Sequence, residues 1–147
     1  MVNSINNVLG DGVAATNPYP TFNDYRTAVS DRKVQGAFRS GWQPDYPSAE
    51  NYLVQNFSSA AADGNGSNDG DYKNPEFDAL CDKAAASKSV ADANKLYQQA
   101  QEVLLNDLPA VPLYYANAYG VASTGVSGFE MNWQNLPVYE NMTKSGK

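Results

Sequence analysis

The sequence predicts an α/β fold: a mixed sheet with a right-handed βαβ unit, and a helical hairpin. Three observations carry this. Two short β-rich runs flank a stretch of helical spacing in the N-terminal third. Two later segments each open on a capping residue and repeat apolar positions every three or four residues, with a brief turn between them. The length, 147 residues, suits about one domain that buries a core without metals or disulfides.

The chain opens in an amphipathic helix, with Val2, Ile5, Val8 and Leu9 on one face and Gly10 as its stop. "MVNSINNVLGDG" has no charged n-region, no long apolar stretch and no small-residue cleavage site, so it is not read as a signal peptide. A start inside such a helix is expected of a fragment, or of a piece cut at a domain boundary. "GVAATNPYP" reads as a strand over residues 13–19, ended by Pro18 and Pro20. "TFNDYRTAVSDRK" follows as a helix over 22–32, with Phe22, Tyr25, Ala28 and Val29 as its stripe. Thr21 is its N-cap, with Asp24 in capping-box position. "VQGAFRSGW" returns as a strand over 35–42. Strand, helix and strand at this length predict two neighbouring parallel strands with a right-handed crossover.

Ser48 caps a short helix, "SAENYLVQNF", which turns Tyr52 and Leu53 inward. Residues 58–73 are rich in Ser, Asn, Asp and Gly and read as a surface loop. Asn74 caps a helix over 75–87 with Pro75 at its first position and Phe77, Leu80, Cys81, Ala84 and Ala85 on its apolar face. Ser89 and Asp92 open the next, over 90–107, with Leu96, Tyr97, Ala100, Val103 and Leu104 facing inward; the two are expected to be antiparallel. "PAVPLYY" and "AYGVAS" read as strands. The tail from Gly125 reads as irregular, with Trp133 and Val138 packed.

A net charge of −6 and a sequence pI near 4.4 argue against nucleic acid and against an anionic membrane surface as partners. No apolar run approaches membrane-spanning length, so no membrane insertion is expected. Without histidine, the chain lacks the commonest general base and metal ligand. A single cysteine rules out an internal disulfide and a multi-thiolate zinc site. Counted from Asp63, the loop has Asn68 at the sixth position and Asn74 at the twelfth, where an EF-hand needs glycine and glutamate. Cys81 lies on an apolar stripe and reads as a buried, inert thiol. No catalytic residue, metal or cofactor is expected, and the chain reads as a non-enzyme.

The densest stretch is "FRSGWQPDYPSAENYL", residues 38–53. Asp45 sits three residues beyond the tryptophan that ends the predicted strand, in a turn stiffened by Pro44 and Pro47. In α/β folds the ends of parallel strands face the ligand crevice, so this acid suits a fixed counter-charge for a cation. It equally suits a turn, or the N-terminus of the helix that follows, which acidic groups favour. Composition and spacing leave the two readings even.

"FRSGWQPDYPSAENYL", "YKNPEFDAL" and "LYQQAQEVLLNDLPAVPLYY", in that order, resemble the extracytoplasmic peptide-binding proteins of ABC importers, the oligopeptide- and dipeptide-binding proteins of solute-binding family 5. The resemblance implies part of a type II periplasmic-binding-protein-like lobe. Residues 1–110 would be the C-terminal part of the distal ligand-binding lobe, and 111–147 the return strands and tail that dock on a missing first lobe. By resemblance, Asp45 in the pattern Trp42, Gln43, Pro44, Asp45, Tyr46 anchors a peptide's α-amino group. Trp42 and Gln43 supply wall and backbone contacts, and Tyr46, which closes the pattern, is counted with them as ligand-binding. Arg39 matches an arginine associated with the peptide's carboxyl end; a strand-edge ion pair is its plainer reading. The implied partners are a peptide ligand and, through a full-length parent, ABC permease subunits, with self-association through the surface meant for the missing lobe. The implied location is the periplasm or cell surface, with the parent lipid-anchored. The alternatives are a receptor of the same family for another cargo, such as a sugar or a metal chelate, an unrelated α/β interaction module, and an α/β-hydrolase-like fragment, which the lack of histidine disfavours.

Overall fold

Helix α1 (Val2–Leu9) ends at Gly10, whose φ of 113° and ψ of 155° lie where residues with a Cβ rarely go. This computed structural model describes residues 1–145, and the remaining helices start where the sequence supplies an acceptor for an unpaired helix N–H. The Thr21 hydroxyl accepts from the Asp24 N–H at 3.1 Å at the head of α2 (Phe22–Ser30). Ser48 accepts from Glu50 at 3.2 Å ahead of α3 (Ala49–Phe57). The Asn74 side-chain oxygen takes the Glu76 and Phe77 N–H groups at 2.8 and 3.2 Å ahead of α4 (Pro75–Ala85). Ser89 accepts from Asp92 at 3.1 Å ahead of α5 (Val90–Asp107). All four caps are the ones the sequence predicts.

The chain divides into two compact units, Met1–Phe38 and Arg39–Lys147. In the first, α2 buries Ala28 and Val29, while Phe22, expected on the same stripe, is 74% exposed. Its C-terminus closes with Arg32 in the left-handed region (φ 57°). Lys33 N–H reaches Ala28 O at 2.8 Å and Arg32 N–H reaches Val29 O at 3.0 Å, which satisfies carbonyls the helix leaves open.

The predicted strands over 13–19 and 35–42 do not form, and neither does their βαβ unit. A strand exists only where its backbone groups find a neighbouring edge. Here both backbone groups of Ala14 are taken by the Asn6 side chain, at 2.8 and 3.0 Å, and Pro18 and Pro20 have no N–H to offer.

The second unit has its core where α3 packs across the α4–α5 hairpin. Leu53, Phe77, Cys81, Ala84, Tyr97 and Ala100 are buried there, with Leu80, Leu96, Val103 and Leu104 around them. Two expected members stay out: Ala85 is exposed and Tyr52 is 45% exposed. The expected surface loop, 58–73, is organised by one buried amide. Asn68 donates to Ser58 O and Tyr72 O at 3.0 and 2.8 Å and accepts from Tyr72 N–H at 3.1 Å. Its own polar groups are matched, so its burial carries no unpaired-amide penalty.

Helix α5 ends at Leu108 in the left-handed region (φ 51°), with Pro109 next. From Leu105 to Thr124 every residue is exposed, and neither "PAVPLYY" nor "AYGVAS" forms the expected strand. The sheet among the described residues is one antiparallel ladder, β1 (Val126–Ser127) with β2 (Thr143–Lys144), paired Val126 to Lys144 and Ser127 to Thr143. Beside it, Gly128 (φ 72°) passes so close to Asn141 that a Cβ would lie 2.0 Å from the Asn141 carbonyl oxygen. Trp133, expected to pack, is 53% exposed; Val138 is half-buried.

Candidate functional site

The turn between Trp42 and Tyr46 precedes α3, and one side chain from the first turn of that helix holds it. Asn51, 1% exposed, accepts from the Trp42 indole N–H and from the Asp45 backbone N–H, both at 2.9 Å, through the same oxygen. Its Nδ2 donates to Asp45 Oδ2 at 3.3 Å. Two donors meeting on one atom identify that atom as the amide oxygen, which leaves the nitrogen facing the carboxylate.

The tail braces the turn from elsewhere in the sequence. Gln43 Nε2 donates to Gln134 O at 2.7 Å, and Gln134 Nε2 donates to Pro44 O at 3.1 Å. The Gln134 backbone is itself fixed, since its N–H donates to Asn132 Oδ1 at 2.9 Å. Tyr46 donates its hydroxyl to Glu50. That bond holds the Tyr46 hydroxyl above its ordinary pKa, against a smaller opposing effect of Asn51.

The structure therefore gathers Trp42, Gln43, Asp45 and Tyr46 on one braced turn. Trp42 is half-buried, while Gln43, Asp45 and Tyr46 are exposed. Arg39, also exposed, lies three residues before the tryptophan. The chemistry on offer is an exposed carboxylate of fixed direction beside an indole, ahead of a helix N-terminus. Cys81 offers no such reactivity. It is 4% exposed, and burial, then the nearby Asp78, Asp82 and Glu50, push its thiol up to about 12. Among the described residues no group of three or more His, Cys, Asp or Glu gathers as a metal site. No helix among them is long and apolar enough to cross a membrane.

Sequence reading missed Asn51 and Gln134. Asn51 had a signal: it is the third helical residue after a serine cap, where a polar side chain reaches back over the preceding chain. Gln134 had none, because its partners lie about ninety residues away.

No family model matches the chain. It is 36% identical over 92 residues, 63% of its length, to di/tripeptide-binding protein 4 of Pseudomonas aeruginosa (strain UCBPP-PA14). Over that part of its length the chain is thus similar to a protein named for peptide binding. The chain is also similar to heme-binding protein A of Haemophilus influenzae (strain ATCC 51907 / DSM 11121 / KW20 / Rd), 29% identical over 125 residues, 84% of this chain. The chain spans 17% of the first relative's length and 22% of the second's. In fold it resembles the solved structure of HbpA2 from Haemophilus parasuis, with a TM-score of 0.57 at 23% identity, over 84% of this chain and 24% of that one. The mixed, mainly helical architecture thus resembles part of the fold of that protein.

Proposed function

We propose that this chain is part of the substrate-binding component of a peptide ABC importer, capturing oligopeptides outside the cytoplasm for delivery to permease subunits. Residues 1–110 serve as the C-terminal part of the distal lobe and 111–147 as the return segment and tail. One observation carries the reading: the Asp45 carboxylate is exposed, yet its direction is fixed by a buried side chain, Asn51, which engages Oδ2. The relative named for di- and tripeptides supports the cargo class.

The chemistry is amine capture. A peptide's α-ammonium meets Asp45, Trp42 forms a wall beside it, and Gln43 and Tyr46 shape the floor. Arg39 takes the carboxyl end. Closure of a cleft removes water from the pair, and a desolvated pair is favourable only when the remaining lone pairs are satisfied. Asn51 already satisfies one lone pair of the carboxylate. The partner lobe and the cargo supply the rest. A second reading, a receptor of this kind for a metal chelate, is favoured by the heme-binding relative, which matches the larger share of the chain.

The test is calorimetric titration of the intact binding protein, cleft complete, with a free tripeptide, its N-acetylated form and hemin. Asp45→Asn leaves an ammonium unpaired, a loss of roughly 3–5 kcal/mol, or about two to three orders of magnitude in affinity. The acetylated peptide binds wild type weakly and loses little more in the variant. Equal wild-type affinity for the free and acetylated peptides overturns the amine-anchor reading. Hemin binding without peptide binding replaces it with the second.

A further inference from the structure

We propose that Asn51 is a positioning residue that aims Asp45 and Trp42 together at the ligand amine; the proposal rests on the peptide-binding reading above. Three observations carry it. Asn51 is 1% exposed, and a buried amide is tolerated only when its polar groups are matched. Each match it makes here is to the candidate site: the indole of Trp42, the backbone N–H of Asp45, and Oδ2 of Asp45. The helix that carries it is anchored in the core, since Leu53, two residues on, is 3% exposed and α3 packs across α4 and α5.

The geometry has a consequence for the carboxylate. Nδ2 engages Oδ2 and so fixes the plane of the group, leaving Oδ1 as the oxygen available to an incoming cation. Because the indole and the Asp45 N–H share one acceptor, a shift of the wall displaces the acid as well. The Trp42 wall and the Asp45 charge act as one unit, and the unit is set by the helical core.

The experiment uses two variants in the intact binding protein, read by the ratio of affinities for a free and an N-acetylated tripeptide. Asn51→Leu keeps the approximate size and loses all three bonds. Asn51→Asp keeps the acceptor for Trp42 and for the Asp45 N–H, but sets a second carboxylate where Nδ2 had met Asp45 at 3.3 Å. Charge alone would make this second variant bind the ammonium more tightly. Loss of aim makes it bind less tightly, so the two accounts differ in sign. We expect the preference for the free amine to fall about tenfold or more in both variants. We expect the Trp42 indole N–H resonance of this chain to hold its position in Asn51→Asp and to move in Asn51→Leu.

A preference that holds or rises in Asn51→Asp overturns the proposal. If Asp45→Asn abolishes the preference while both Asn51 variants keep it, this inference fails and the binding reading stands. If wild type has no preference, both fall. Should neither variant fold, the wild-type protein decides. The Asn51 side-chain amide resonances shift with the free tripeptide and not with the acetylated one, and equal response to both overturns the role.

Discussion

The α3–α5 core and the segment from Leu105 to Thr124 are both rich in large apolar residues, yet they end in opposite states. Phe77 is 0% and Tyr97 5% exposed, whereas Tyr115 is 103% and Val121 97% exposed. Hydrophobicity does not separate them; the range over which each must find a partner does. In the hairpin, a cap, a periodic stripe and a four-residue turn bring each face onto its neighbour. The later segment has strand-forming residues, and a strand has no complete hydrogen bonding until another edge lies beside it.

The largest expected effect separates the two regions directly. Phe77→Ala empties a fully buried site and should cost about 3–5 kcal/mol by chemical denaturation. A cost below about 1 kcal/mol would mean that the hairpin is no better packed than the exposed segment.

A smaller effect sits on the border between them, at the end of α5. Asp107 lies where the helix dipole disfavours an acid, and Tyr72 and Asn74 donate to it at 2.6 and 2.7 Å. Those bonds, the Tyr72 one first, hold the Asp107 carboxyl below its usual range. A depressed carboxyl contributes stability above its unfolded pKa, 3.8, and loses it as pH falls through the lower folded value. Tyr72 runs the other way. Burial first, then Asp107, push its hydroxyl from 10.0 up to about 12, so its contribution is full below 10 and lost as pH rises through about 12. Asp107→Asn should therefore flatten the acid limb of a plot of denaturation midpoint against pH, and Tyr72→Phe the alkaline limb. Unchanged limbs would show that the clasp does not hold the hairpin to the loop.

The smallest effect is expected at Tyr115. Tyr115→Ser should change stability by less than about 0.5 kcal/mol, because the ring touches so little, and should lower binding of an apolar dye. A larger loss of stability would mean that the segment is packed after all.

Particular residues show how far the sequence was legible. Thr21, Ser48, Asn74 and Ser89 announced their helices, because a cap acts on N–H groups two or three residues away. Cys81 announced its burial through its place on a stripe. The turn around Asp45 was legible as a constellation, but its support was not. Asn51 stood in a plausible reach-back position without naming its target, and Gln134 offered nothing to read. Phe22 and Tyr52 misled, because a stripe says that a face is apolar and not that a neighbour covers it.

By itself, then, the sequence determined what is local: helix starts, the stop at Gly10, the hairpin and the identity of the acid in the turn. Those follow from contacts within a few residues, which the chain makes as soon as it curls. The tertiary structure alone decided whether β-rich runs become strands, which stripe residues are covered, and which way Asp45 faces. Each of these depends on a partner distant in sequence, or on a single buried amide whose three hydrogen bonds exist only once the helix and the turn have met.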